Sequence, residues 1–150
     1  MNIKDIKPAL EKGMAEKLSE IDAITNNTEA PTFENTIVPL EKSGKTLDRI
    51  FTYYGIWSSN MSSPEFREIE SEMAPILSDF RSKISQNAAL FQRIKTVYDN
   101  SLKTPLEADQ QRVIQLIYEG FAMDGAELDD TKKLRYAAIN KELSTLYTNF

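Results

Sequence analysis

The chain has 150 residues, 41% of them hydrophobic, with 18 basic and 23 acidic side chains and a net charge of −5, which is the size and composition of one globular domain. No basic cluster offers the cationic face that nucleic acid requires, and no apolar run approaches the roughly 20 residues of a membrane-spanning helix. The chain has no cysteine and no histidine, which excludes disulfides, thiolate chemistry, Ser-His-Asp or Cys-His catalysis and any histidine-based zinc or di-iron site built from this chain alone.

Every long segment carries apolar residues at helical spacing, and no stretch alternates as a strand would. A first helix is predicted from about Ile6 to Thr25, its stripe formed by Leu10, Met14, Leu18, Ile21 and Ile24, with Pro8 in the first turn, where a missing N–H costs nothing. The polar run NNTEAP ends it.

Thr32 then reads as the N-cap of a second, long helix. Its stripe is Phe33, Ile37, Leu40, Gly44, Leu47, Phe51, Tyr54 and Met61. Pro39 should bend that helix by removing a backbone bond, and Gly44, on the stripe, should give a neighbouring helix a close approach.

Ser62-Ser63-Pro64-Glu65 starts a third helix whose stripe is Phe66, Ile69, Met73, Ile76 or Leu77, Phe80 and Ile84, with Pro75 inside it. Asn87 caps a fourth carrying Leu90, Phe91, Ile94, Val97 and Tyr98. Thr104-Pro105-Leu106-Glu107 has capping-box spacing and starts a fifth, with Val113, Leu116, Ile117 and Phe121, ending at Gly125. A last helix begins near Asp129 or Asp130 and carries Tyr136, Ile139, Leu143, Leu146 and Phe150. The expected fold is all-α: one domain, an irregular antiparallel bundle of about six helices.

Chemistry-bearing groups are sparse. Glu65, Glu68 and Glu72, with Glu70 nearby, share the spacing of a carboxylate metal site, but unpaired buried carboxylates are costly, so this is read as a solvated face. Asp129 and Asp130 read as helix caps rather than calcium ligands. Lys42-Ser43-Gly44-Lys45 lacks the glycine spacing and preceding strand of a phosphate loop. The aromatics Phe51, Tyr53, Tyr54 and Trp57 form the densest apolar patch. Phe51, Tyr54 and Trp57, with Phe150, are the candidate interface residues. No residue is assigned a catalytic, metal or cofactor role.

The segment APTFENTIVPLEKSGKTLDRI is similar to a stretch near the N-terminus of the M3 zinc metallopeptidases, the group of oligopeptidase A, peptidyl-dipeptidase and thimet oligopeptidase/neurolysin. Phe33, Asn35, Thr36, Ile37, Leu40, Glu41, Ser43, Gly44, Leu47 and Arg49 carry the match. PALEKGMAEKLSEIDAI, ALFQRI and the region from EGFAMDGAEL to LSTLYTNF extend it over nearly the whole chain, and it leans to the bacterial peptidyl-dipeptidase (dipeptidyl carboxypeptidase) branch. Pro39 departs from the small residue the pattern has there.

The resemblance implies a neurolysin-like N-terminal helical domain: part of the wall of a channel that admits short peptides. Zinc and the H-E-x-x-H motif belong to the remainder of such a parent polypeptide, which is the implied partner along with oligopeptide substrates. The implied parent activity is hydrolysis of oligopeptides with release of C-terminal dipeptides, and the chain alone is expected to be inactive. It is expected in the cytoplasm, or in the periplasm if a signal preceded it, and an isolated fragment is expected to dimerise through its exposed apolar strips. The competing expectation is a non-catalytic helical interaction module that keeps only the fold.

Overall fold

In the computed structural model, which describes residues 2–104 and 106–149, the chain is all helix. Among these residues it forms α1 (Ile3–Thr25), a π-helical turn (Phe33–Ile37), a short α2 (Val38–Lys42), then α3 (Lys45–Asn60), α4 (Pro64–Ser85), α5 (Ala88–Ser101), α6 (Ala108–Met123) and α7 (Asp130–Asn149). Six of these are long, and they make the irregular bundle that the periodicity predicts.

The buried residues gather in two places. A first core joins Ile6, Leu10 and Met14 of α1, Leu47 and Ile50 of α3, and Phe66, Met73, Leu77 and Phe80 of α4. A second joins Ile21 and Ile24 of α1, Ile37, Leu90, Ile94 and Val97, and Ile114 of α6. α1 thus serves both, its N-terminal half the first and its C-terminal half the second. α7 packs on α4, where Lys141 meets Asp79 at 2.7 Å, but none of its described side chains is buried.

Several local signals hold. The Ser63 hydroxyl accepts the Phe66 N–H at 3.2 Å ahead of Pro64. The Asn87 side chain accepts the Leu90 N–H at 2.9 Å, and that of Asp129 accepts the Lys132 N–H at 2.9 Å. At Gly125 (φ 87°) the Ala126 N–H reaches back to the Phe121 carbonyl at 2.9 Å and the Gly125 N–H to that of Ala122 at 3.1 Å. This is the Schellman closure that needs a left-handed residue.

Other expectations are corrected. α1 begins at Ile3, so Pro8 lies inside it on an exposed face, where the unbonded carbonyl meets water. The long helix from Thr32 to Met61 is instead three pieces. Thr32 does cap: its hydroxyl accepts the Asn35 N–H at 3.1 Å. The turn after it widens, with the Val38 N–H bonding to the Phe33 carbonyl five residues back. Pro39 follows at once, with no N–H to carry on the register, and sits harmlessly in the first turn of α2 rather than bending a longer helix.

Gly44 is a break as well as a close approach: with φ at 77° it separates α2 from α3, and a Cβ on it would stand 2.6 Å from the Lys17 Cδ of α1. A second close approach, not expected from the stripes, falls at Gly13. A Cβ there would stand 3.1 Å from the Leu47 Cα and from the Ile50 and Leu47 Cδ1 atoms, so α3 lies directly against bare α1 backbone.

α6 starts at Ala108 with Glu107 as its N-cap, not at Thr104; Pro105, part of that expected start, lies outside the described residues. The chain turns at Lys103 and Thr104, whose N–H groups bond to the Asn100 carbonyl, and Leu106 is drawn onto the second core before the helix can begin. The α6 position in the core goes to Ile114, and Leu116 faces solvent. On α4 it is Leu77 that is buried and Ile76 that is exposed.

Candidate functional site

The densest polar construction in the molecule is built on Arg93. It lies on the apolar side of α5, between Leu90 and Ile94 in the core, and is only 8% exposed. One guanidinium nitrogen, Nη1, donates to the carbonyls of Asn27 (2.8 Å) and Glu29 (3.2 Å), and Nη2 to the Asn35 side-chain oxygen (3.0 Å). That oxygen also accepts the Thr32 N–H (2.8 Å) and the Thr36 hydroxyl (2.9 Å), while the Asn35 amide nitrogen donates to the Ala30 carbonyl (2.9 Å).

The connection between α1 and the π-turn is thereby clasped to α5 by two side chains. Thr36 and Ile37, next along the chain, are fully buried beneath it. The Phe-x-Asn-Thr-Ile motif is a structural clasp, because its side-chain amide bonds to the chain's own backbone, to Arg93 and to the motif's own hydroxyl.

Ser43 and Gly44 continue the same logic. The Ser43 hydroxyl donates to the Leu40 carbonyl at 2.7 Å, and the Glu20 carboxylate accepts the Gly44 N–H at 2.6 Å. With its hydroxyl bonded and its backbone N–H taken by a carboxylate, this loop has no cradle for a phosphate. Beside it, Glu20, Asn27, Asn35, Pro39 and Lys42 line a shallow surface groove.

The predicted aromatic patch divides by face. Trp57 stacks on buried Phe66 at 6.1 Å between ring centres, Tyr54 packs on the same ring at 5.3 Å, and Phe51 meets Tyr54 edge-on at 6.2 Å. Phe51, Tyr54 and Trp57 are half-buried flanks of the first core, whereas Tyr53 and Ile56 point outward. Phe150 lies outside the described residues. Burial raises the Tyr54 phenol to about 12; Glu70 adds to the rise and Arg81 opposes it.

A second aromatic ladder, missed by the helical stripes because its members alternate between α5 and α6, stacks Tyr98 on Tyr118 at 4.2 Å and Phe91 on Tyr118 at 5.8 Å. The Tyr118 hydroxyl donates to Glu127 at 2.7 Å, and this bond pushes the phenol upward.

The carboxylates do not converge. Glu72 pairs with Lys7, Glu70 accepts the Ser58 hydroxyl at 2.6 Å, and Glu65 and Glu68 are exposed. No three His, Cys, Asp or Glu side chains among the described residues are placed to hold a metal. With neither imidazole nor thiolate available, these residues do not fit a zinc ion. Asp129 pairs with Lys132 at 2.8 Å and accepts that residue's N–H. Both bonds hold its carboxyl below the usual range, with the side-chain bond dominant.

On α7, Leu134 is 75% exposed, and Ile139, Leu143 and Leu146 are also open to solvent. Among the described residues no helix is long and apolar enough to cross a membrane.

Among the described residues the domain is all-helical, and the polar groups of the Arg93 clasp in its interior bond within the chain itself. The chain belongs to the family of the neurolysin/thimet oligopeptidase N-terminal domain, whose model matches residues 9–133. It is 31% identical over 150 residues to the dipeptidyl carboxypeptidase of Salmonella typhimurium, covering 99% of this chain and 22% of that protein. The Escherichia coli dipeptidyl carboxypeptidase is 29% identical over 144 residues, 96% of this chain and 21% of that one. Oligopeptidase A of S. typhimurium is 26% identical over 141 residues, 94% and 21%. The chain spans about a fifth of the length of the curated relatives it matches.

Sequence reading missed Arg93 as a structural residue, although it stands inside the ALFQRI stretch. The signal was there: three residues after Leu90 and four before Val97, it falls on the apolar stripe, where an arginine needs buried acceptors.

Proposed function

We propose that this chain is the N-terminal helical part of the substrate-channel wall of a zinc metallopeptidase that cleaves short oligopeptides and releases C-terminal dipeptides. The observation that carries the reading is the similarity over 99% of the chain to a dipeptidyl carboxypeptidase, at 31% identity, above the 26% for oligopeptidase A. The coverage of only about a fifth of those relatives supports assigning the reactive centre and its zinc to the remainder of the same polypeptide.

That remainder is the proposed partner of the chain, and oligopeptides are the proposed substrates of the whole. The wall shapes access, and its own residues carry out no bond-breaking step. The test has two arms. The gene is read beyond Phe150, where the frame is expected to continue into an H-E-x-x-H motif. The purified 150-residue chain is then incubated with zinc and an oligopeptide, and no cleavage is expected. A stop codon after Phe150, or hydrolysis by the chain alone, refutes the reading.

A further inference from the structure

We propose that the domain is two cooperative units that pivot about the middle of α1. The buried side chains of α1 divide along its length: Ile6, Leu10 and Met14 enter the first core and Ile21 and Ile24 the second. None of residues 15–20, between them, is buried, and of these Leu18 alone is a half-buried flank of the first core. Neither α3 nor α4 packs extensively on α5 or α6, so α1 is the element through which the units chiefly meet, and among the described residues Ile84 of α4 packs against both cores.

The polar ties respect the same division. Lys7–Glu72, Ser58–Glu70 and Lys141–Asp79 lie within the first unit. Arg93–Asn35 and Gln111–Ser101 lie within the second, and Tyr118–Glu127 ties α6 to the turn that follows it.

After α1, the chain passes from one unit to the other three times, and each of these passages is a short break between helices. The first is Gly44 (φ 77°), the second the turn at Gln86, and the third the turn at Gly125 (φ 87°). The Gln86 Nε2 is buried there with no hydrogen-bond partner among the described residues. At the waist itself, the Glu20 carboxylate on the Gly44 N–H is the one polar tie between α1 and a passage among the described residues.

Two cores that share one helix open separately, and a few residues at element ends can absorb a bend. The inference stands on packing alone and is independent of the peptidase reading.

Native-state hydrogen exchange of the 150-residue chain in rising urea tests it. Amides of α3 and α4 are expected to merge on one opening reaction and those of α5 and α6 on another. Met73→Ala should lower protection in α3 and α4 by roughly tenfold or more and leave α5 and α6 unchanged. Ile94→Val, a milder change if the first variant does not fold, should do the reverse. One shared opening for all helices, or equal losses everywhere, overturns the two units. Spin labels at Ser59 and Asp109, one in each unit, should give a broader distance distribution than a pair at Ser59 and Glu68 within the first. Equal widths overturn the pivot.

Discussion

The Arg93 guanidinium donates to the Asn35 side-chain oxygen at 3.0 Å, across 58 residues of chain, and this contact closes the clasp that holds the α1-to-α2 connection on α5. Asn35 also bonds Thr32, Thr36 and the Ala30 carbonyl. Asn35→Ala therefore leaves a buried cation short of an acceptor and three further groups without their partner. A loss of about 2–4 kcal/mol is expected, read as a fall in the urea midpoint at unchanged slope. A variant within about 0.5 kcal/mol of the parent, the range of ordinary surface changes, would refute the role given to the clasp.

Glycine-to-alanine substitutions should separate by sign. At Gly13 the added methyl would stand 3.1 Å from the Leu47 Cα, a backbone atom that cannot rotate away. Gly13→Ala should destabilise by about 1–3 kcal/mol despite the helix propensity of alanine. At Gly55 and Gly120 nothing lies within 4 Å, so alanine there should stabilise by about 0.5–1 kcal/mol. Thermal melts of the three variants check the order.

Alkali should unfold the domain through its tyrosines. The folded state holds the Tyr54 proton more tightly than the unfolded chain, because its phenol is raised from 10.0 to about 12. The stabilising contribution is intact below about pH 10 and falls away as pH climbs through about 12. Circular dichroism melts between pH 9 and 12 should show that decline, and Tyr54→Phe should flatten it. An unchanged slope in the variant removes Tyr54 from the account.

Acid should loosen the start of α7. The Asp129 carboxyl, lowered by Lys132, keeps its charge in the folded state to lower pH than in the unfolded one. Its support is present above the ordinary carboxylate range and is lost as pH falls through the depressed value. Amide exchange in the first turn of α7 should rise below about pH 4 in the parent. Asp129→Ala should show the rise already at neutral pH, and equal exchange in both proteins would contradict the capping role.

Phe66 is fully buried and carries Tyr54 and Trp57 on its faces. Phe66→Ala should cost about 3–5 kcal/mol. It should also shift the emission of Trp57, the single tryptophan, to the red as water reaches the indole. Emission that stays put would separate Trp57 from the first core.

Much of this protein is local in origin and so could be read from sequence. Apolar residues three and four apart set the helices, and Ser63, Asn87 and Asp129 cap them through side chains that reach only three residues along the chain. The lack of histidine and cysteine excluded imidazole- and thiolate-based sites built from this chain before any fold was known, since no arrangement supplies a missing ligand. What only the tertiary structure decided are the contacts between residues distant in sequence. Gly13 admits the α3 backbone although no apolar stripe marked it, because which residue of α1 meets α3 depends on how the two helices cross. Arg93 finds Asn27, Glu29 and Asn35 from about 60 residues away. Helical periodicity marks an apolar stripe but not its partner; for α1 the fold gives one half of that stripe to each of two cores.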